Sequence, residues 1–202
     1  MILISVNIMN VKIKRKISSV LNLSSYFVNK VMLSFMHVQI GTGNSLFGRI
    51  KIKNRGNIII GDENVIFCSP SSNWLGVTSR TSIYCAKYAS VRIGNKCQIS
   101  NVAIHSLASV QIGDEVMIGG GTVIFDSNCH SLLFEQRMGK DNDVKKRPVV
   151  IEDGVFIGMN CIVKSARIGA RSVIGAGSVV MKDIPSGECW AGNPARFIKK
   201  IY

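Results

Sequence analysis

The 202-residue sequence predicts an all-β chain wound as a parallel β-helix of hexapeptide repeats. Three observations carry that prediction. Aliphatic residues recur every six positions: Ile93 and Ile99, then Ile112, Ile118 and Ile124, then Ile151, Ile157 and Val163, then Ile168, Ile174 and Val180. "ASVRIGNKCQIS" at 89–100 returns as "ASVQIGDEVMIG" at 108–119, an offset of 19 residues. Each aliphatic beat is usually followed by Gly and, four residues on, by a small or β-branched residue: Cys97, Ala103, Val116, Thr122, Val155, Cys161, Ser172 and Ser178. A period of six matches neither a plain helix nor a plain strand. It fits one short strand plus one tight turn, and three such units close a triangular coil of about 18 residues. The aliphatic side chain points into the prism, the small residue fills an interior corner, and Gly takes the turn where φ is positive. Stacked coils then pair in parallel at about 4.8 Å.

Each stretch of the chain takes a place in this scheme. Residues 1–38 lack the period. Val20, Leu21, Leu23, Phe27, Val31 and Phe35 stand at helical spacings there, which predicts one or two helices packed on the first coil. The same segment is basic and amphipathic, so a peripheral membrane contact through 1–38 is its alternative role. Residues 39–184 form the β-helix, with imperfect early coils in "GRIKIKNRGNIIIGDENVIF" and a loop at "CSPSSNWLGVTSR". The beat six residues after Ile99 is His105, which predicts an inward, partly buried ring. The beat six residues after Ile124 is His130; the metre then stops and resumes at Ile151, so 131–148 is predicted to be an extruded loop. The chain leaves the prism at Pro185, and in 185–202 "PARFIKKIY" predicts a short closing helix with Pro194 at its start.

Composition narrows the function classes. The net charge of +13 comes from 25 Lys and Arg against 12 Asp and Glu. It suits an anionic partner, whether nucleic acid, membrane surface or phosphate-bearing small molecule. The basic residues are spread along the chain and aromatics are only 7%, so no nucleic acid is expected. A non-catalytic basic β-helix that binds nucleic acid is the distant alternative. The six cysteines form no C-x-x-C pair, which argues against a structural zinc site and fits a reducing compartment. The N-terminus places apolar residues before basic ones, the reverse of a secretory signal, and no apolar run reaches about 18 residues. A cytoplasmic protein is expected. The "GTG" at 41–43 and "GGG" at 119–121 lack a strand–turn–helix context and read as turn glycines.

The run "PVVIEDGVFIGMNCIVKSARIGARSVIGAGSVVMKDIPSGECWAGNPARFIKKI" resembles the C-terminal half of hexapeptide-repeat O-acetyltransferases. These include the maltose and galactoside acetyltransferases and the capsule and O-antigen acetyltransferases. The resemblance covers 90–202 well and 40–89 loosely, and it does not extend to 1–38. It implies a left-handed parallel β-helix, a handedness that runs against the general crossover rule. It also implies a homotrimer with active sites between subunits, acetyl-CoA as the acetyl donor, and no metal. "DSNCH" matches the family's D-x-x-x-H pattern, which makes His130 the implied general base. Asn101 matches an acceptor-orienting asparagine. Asp126 is left with three readings: it orients His130, binds the acceptor, or orders the turn. For acetyl-CoA the matching positions are Met159, Ala176 and Met181 along the pantetheine arm, Lys182 beside the cofactor, and Arg196 and Lys199 at its phosphates. Trp190 either stacks on adenine or covers the last coil. "IVKSARIG" is one residue shorter than the family's usual turn.

The chemistry asks for these residue types. Moving acetyl from a thioester to a sugar hydroxyl requires a base for a weakly acidic alcohol, and neutral imidazole, with a reference pKa of about 6.5, serves at neutral pH. The tetrahedral oxyanion needs hydrogen-bond donors. A γ-carbonic-anhydrase-like zinc site on the same fold would need a closely spaced histidine pair. The three histidines here, His37, His105 and His130, contain none. Lys145, Lys146 and Arg147 in the loop suit an anionic saccharide, although a solvated loop is the simpler account. The expected function is acetyl-CoA-dependent O-acetylation of a saccharide hydroxyl, on a surface polysaccharide or its precursor. An amino-sugar N-acetyltransferase and a xenobiotic (antibiotic) acetyltransferase are the near alternatives.

Overall fold

The structure, a computed structural model, describes residues 24–72, 78–139 and 144–202. The expected helix positions Val20, Leu21 and Leu23 lie outside the described residues. A helix over 24–35, here α1, precedes the prism. The chain then winds through three faces in turn. The first coil is β1 (Gln39–Ile40), β2 (Ser45–Phe47) and β3 (Lys51–Asn54); the second is β4 (Asn57–Ile60), β5 (Val65–Phe67) and β6 (Ser82–Cys85). The third is β7 (Ser90–Ile93), β8 (Gln98–Ser100) and β9 (Ala103–Ser106); the fourth is β10 (Ser109–Ile112), β11 (Met117–Ile118) and β12 (Val123–Phe125). A loop carrying the short helix α2 (Phe134–Met138) follows. The fifth coil is β13 (Val149–Ile151), β14 (Phe156–Ile157) and β15 (Ile162–Lys164); the sixth is β16 (Arg167–Ile168), β17 (Val173–Ile174) and β18 (Val179–Val180). The hairpin β19 (Glu188–Ala191) and β20 (Arg196–Lys200) ends the chain.

The first strands of successive coils stack as sheet A, the second strands as sheet B and the third as sheet C. Every coil-to-coil pairing is parallel, and the architecture is a left-handed parallel β-helix. Register puts one aliphatic ladder inside each face. Sheet A aligns Ile60, Ile93, Ile112, Ile151 and Ile168. Sheet B aligns Ile66, Ile99, Ile118, Ile157 and Ile174. Sheet C aligns Ile83, Ile104, Ile124, Val163 and Val180. All fifteen are at most 2% exposed. Burying each contributes about 1.5–3 kcal/mol relative to leaving it in water. Cys97, Val116, Thr122, Val155, Cys161, Ser172 and Ser178 fill the interior corners, each fully buried.

Two sequence expectations are corrected at one corner. His105 is not on an inward position, and neither is Ala103: Ile104 points inward, only five residues after Ile99, whereas Ile118 and Ile124 are six apart. The corner between β8 and β9 is one residue short. Asn101 closes it at φ 50°, in the left-handed region that asparagine tolerates. His105 therefore lies on the outer face, stacked on Tyr84 with ring centroids 4.7 Å apart. On the next coil Gly121 takes the equivalent place at φ 78°, where an added Cβ would lie 2.2 Å from Asn160 Oδ1.

The closing helix is also corrected. Residues 196–200 form β20, antiparallel to β19. The last strand of sheet B would otherwise present an unpaired edge, and the β-compatible run Phe197–Ile198 folds back to cover it. At the other end α1 packs on the first coil through Ser25, Asn29 and Leu33, and not through Phe27, Val31 or Phe35, which are exposed. Among the described residues no coil precedes the first, and Asn29 supplies part of the pairing its backbone needs. Its Nδ2 donates to Gly48 O at 2.9 Å, and its Oδ1 accepts from the Ile50 N–H at 3.2 Å.

Candidate active site

The prism has three edges; seven of the ten site residues named from sequence fall on two of them, on either side of sheet C, and Trp190, Arg196 and Lys199 lie on the terminal hairpin. The edge from sheet C to sheet A carries the loop after β12. Asp126 opens that loop from a fully buried position. Its Oδ1 accepts from the Leu107 N–H, and its Oδ2 accepts from the Ser106 hydroxyl and the Ala108 N–H, each at 2.8 Å. Both oxygens are thus committed to the corner of the preceding coil. Ser127 and Lys146 form an antiparallel bridge that closes the loop base. The Cys129 N–H donates to Ser127 Oγ at 3.3 Å, and Cys129 adopts φ 61°. This tight turn displaces His130 from the inward position its beat implies and leaves it exposed at the head of the loop.

Two coils further along the same edge stand Met181 and Lys182, both exposed. Stacking at about 4.8 Å per coil puts them about 10 Å from the loop base along the prism axis. The two levels are tied together. Arg147, at the end of the loop, donates to Ser165 O at 2.9 Å and to both Asp183 oxygens at 2.8 and 2.6 Å. Asp183 also accepts from the Arg167 N–H at 2.8 Å. That bond first, and the Arg147 guanidinium next, hold the Asp183 carboxyl below its ordinary range. Sequence reasoning assigned no role to this brace, although Asp183 lies inside the quoted "KDIP" motif. The corner it spans is short: Val163 and Ile168 are five residues apart, where Ile104 and Ile112 on an earlier coil are eight.

The edge from sheet B to sheet C carries Asn101 on the third coil, Met159 on the fifth and Ala176 on the sixth. Asn101 is fully buried; its Nδ2 donates to Ser79 O at 2.7 Å, and its Oδ1 has no hydrogen-bond partner among the described residues. Ala176 is exposed and Met159 half-buried. At Gly158, between β14 and Met159, an added Cβ would lie 2.5 Å from the Ala176 N–H nitrogen, so this edge stacks backbone on backbone.

At the C-terminal end, residues 192–195 replace a further strand of sheet C. The Val179 N–H donates to Gly192 O and the Ala195 N–H to Val179 O, both at 2.9 Å. A cavity of about 350 Å³ opens there, lined by Met181, Lys182, Trp190, Pro194 and Arg196 over Val179, Val180, Ile184 and Ala195. Four residues named for the cofactor thus meet in one place. Lys199 does not join them; it is exposed on β20 opposite Cys189. Trp190 is half-buried. Its Nε1 donates to Glu188 Oε2 at 2.8 Å, Phe197 meets it edge-on at 6.3 Å, and Lys182 Nζ lies 5.3 Å from its ring centroid. This geometry both covers the last coil and leaves a ring face beside a cation.

No group of three or more His, Cys, Asp or Glu able to hold a metal occurs among the described residues. No helix among them is long and apolar enough to cross a membrane.

Residues 148–182 match the family described as the hexapeptide repeat of succinyl-transferase. The chain is 34% identical over 121 residues to the galactoside O-acetyltransferase of Escherichia coli strain K12, covering 59% of this chain and 58% of that protein. It is 47% identical over 57 residues to the 2,3,4,5-tetrahydropyridine-2,6-dicarboxylate N-acetyltransferase of Clostridium perfringens strain SM101, covering 28% and 24%. Among solved structures it is similar to a hexapeptide-repeat acetyltransferase of Vibrio cholerae O1 biovar eltor in complex with acetyl coenzyme A. That likeness has 37% identity, a TM-score of 0.52, and coverage of 55% of this chain and 61% of the other. The chain thus spans less than two thirds of the length of each of these three relatives. Repeat, fold and sequence likeness agree: the chain carries hexapeptide repeats in a left-handed parallel β-helix and is similar, over part of its length, to these acetyltransferases.

Proposed function

We propose that the protein transfers acetyl from acetyl-CoA to a saccharide hydroxyl, with His130 as general base, in a site assembled between copies of the chain in a homotrimer. One observation carries this reading: the partition of the site residues between two prism edges. His130, Met181 and Lys182 line the edge from sheet C to A, while Asn101, Met159 and Ala176 line the edge from B to C. The width of sheet C separates the two sets, so one chain cannot gather them around one ligand. Two copies placed with unlike edges together can, and the levels then correspond. Asn101 and His130 stand on the consecutive third and fourth coils, and Ala176, Met181 and Lys182 share the level of the sixth. The outer face of sheet C suits such contact. Its register aligns Ala103, Val123, Ile162 and Val179 as one outward apolar ladder.

In this reading acetyl-CoA lies along the groove between copies, its phosphates toward Arg196 and its thioester toward the loop. His130 accepts the acceptor's hydroxyl proton as the oxygen attacks the thioester carbonyl. Backbone N–H groups at the coil corners stabilise the oxyanion. Collapse expels the CoA thiolate, which takes the proton from the imidazolium and leaves as the free thiol. Residues 39–184 form the catalytic body. Asp126 serves by shaping the turn that turns His130 outward. Six free cysteines fit a cytoplasmic location.

The test is release of free CoA on offering acetyl-CoA with neutral and acidic oligosaccharides, nucleotide sugars, amino sugars and aminoglycosides. Transfer to a hydroxyl yields an ester cleaved by hydroxylamine; transfer to an amine yields a resistant amide. The reading expects the ester. Amide product alone replaces it with N-acetylation. Failure of acetyl-CoA to raise the melting temperature overturns it entirely, since saturation at 100 times Kd stabilises a binder by about 2.7 kcal/mol.

A further inference from the structure

Helix α1 carries apolar side chains on its outer face as well as on the face that meets the prism. Its inner face meets the first coil through Ser25, Asn29 and Leu33, with Met32 packed against the core beside Leu33 and two hydrogen bonds made by Asn29. Its outer face carries Phe27, Val31 and Phe35, at i, i+4 and i+8, with Tyr26 beside them. These four are 58%, 69%, 76% and 55% exposed. The charges carried by the helix and by the first coil itself have one sign. Lys30 on the helix and Arg49, Lys51, Lys53 and Arg55 on the coil beneath it are all exposed. Nine basic and no acidic residues occur before Asp62, so nine of the thirteen net positive charges belong to the first 60 residues.

We infer that this end of the prism docks on an anionic lipid bilayer, with the Phe27–Val31–Phe35 stripe entering the headgroup region and the basic collar facing the lipid charges. An apolar helical stripe flanked by cations is the pattern of an interfacial helix. Each cation near the surface adds attraction that fades within a Debye length. Nucleic acid would use the charge but leave the aliphatic and aromatic stripe in water. A second copy of the same basic end would meet like charge. The inference does not depend on the transfer chemistry, because no residue of the proposed site takes part in it.

The test is co-sedimentation of the full chain with vesicles of phosphatidylcholine alone and of phosphatidylcholine mixed with phosphatidylglycerol. The wild type binds the mixed vesicles at least about tenfold more tightly than the neutral ones, and added salt weakens that binding. Phe27→Ser with Phe35→Ser lowers binding by about tenfold or more while the melting temperature and acetyl-CoA stabilisation hold. Phe35→Ser alone, at the most exposed of the four positions, gives a smaller loss and serves if the double variant folds poorly. The inference is overturned if neither vesicle is bound, or if the Phe variants bind like wild type. It is equally overturned if they change the oligomer mass, which assigns the stripe to a second copy. Retention on DNA without vesicle binding at the same salt also overturns it.

Discussion

Replacing Asp126 with alanine removes the side chain that closes the corner between the third and fourth coils. Three donors lose their acceptor at once: the Ser106 hydroxyl and the Leu107 and Ala108 N–H groups, each 2.8 Å from a carboxylate oxygen. Hydrogen bonds to an ionised acceptor are worth about 1.5–3 kcal/mol each, and a buried donor left unpaired costs about 1–3 kcal/mol. Leu107 and Ala108 are only half-buried, so water reaches part of the vacated corner and the low end of each range applies. The total for Asp126→Ala is about 3–5 kcal/mol. Asp126→Asn keeps one acceptor oxygen and turns an NH2 toward at least one N–H, for about 2–3 kcal/mol. Urea unfolding measures both, and the midpoint should fall with an unchanged slope. CoA release per folded molecule should stay within about tenfold of wild type, because neither carboxylate oxygen is free to hold His130. The opposite split, stability within about 1 kcal/mol and turnover down about 100-fold, would falsify this assignment and make Asp126 a partner of the histidine.

Two further predictions follow from charge and burial. The folded-state pKa of Asp183 lies below its unfolded value, so its stabilisation is fully present above a pH of about 4 and is lost as pH falls through the folded value. Asp183 and Arg147 are 51% and 53% exposed, which limits the pair to about 1 kcal/mol or less. Asp183→Asn should lower urea stability by that amount at neutral pH, and the gap should close in acid; a gap that persists there contradicts the assignment. The thiols should divide sharply. Burial pushes Cys68 up to about 12 and Cys97 up to about 11, and it raises Cys85 and Cys161. Cys129 is exposed and Cys189 half-buried. A thiol reagent at mildly alkaline pH should therefore modify Cys129 first and Cys189 next, sparing the other four until urea is added. Rapid modification of more than these two refutes the packing.

The regular coils were legible in the sequence because one ladder position repeats one chemical demand. Ile112, Ile118, Ile124, Ile151, Ile157 and Ile168 are each read from the six-residue beat, and each is buried. The β8–β9 corner was not, because a single missing residue moves every side chain of β9 to the other face, and Ile104 and His105 are adjacent. The end of the chain was misread because helix and strand differ little over five residues, and the deciding factor, the open edge of β19, is tertiary. The orientation of α1 was hidden for the opposite reason. Its apolar stripe was visible, but the face that meets the coil is the one carrying Ser25, Asn29 and Leu33, where Asn29 hydrogen-bonds the coil backbone. Of the candidate site, the motif marked His130 and Asp126. Only sheet topology revealed that Asp126, His130, Met181 and Lys182 lie on one edge and Asn101, Met159 and Ala176 on another.

The central claim is most directly tested by the turnover of His130→Ala against the acceptor found by the CoA-release screen. The account predicts a fall of at least about 100-fold, with acetyl-CoA binding and oligomer mass unchanged. A rate near wild type on that acceptor would contradict it, and the proton would have to leave by another group.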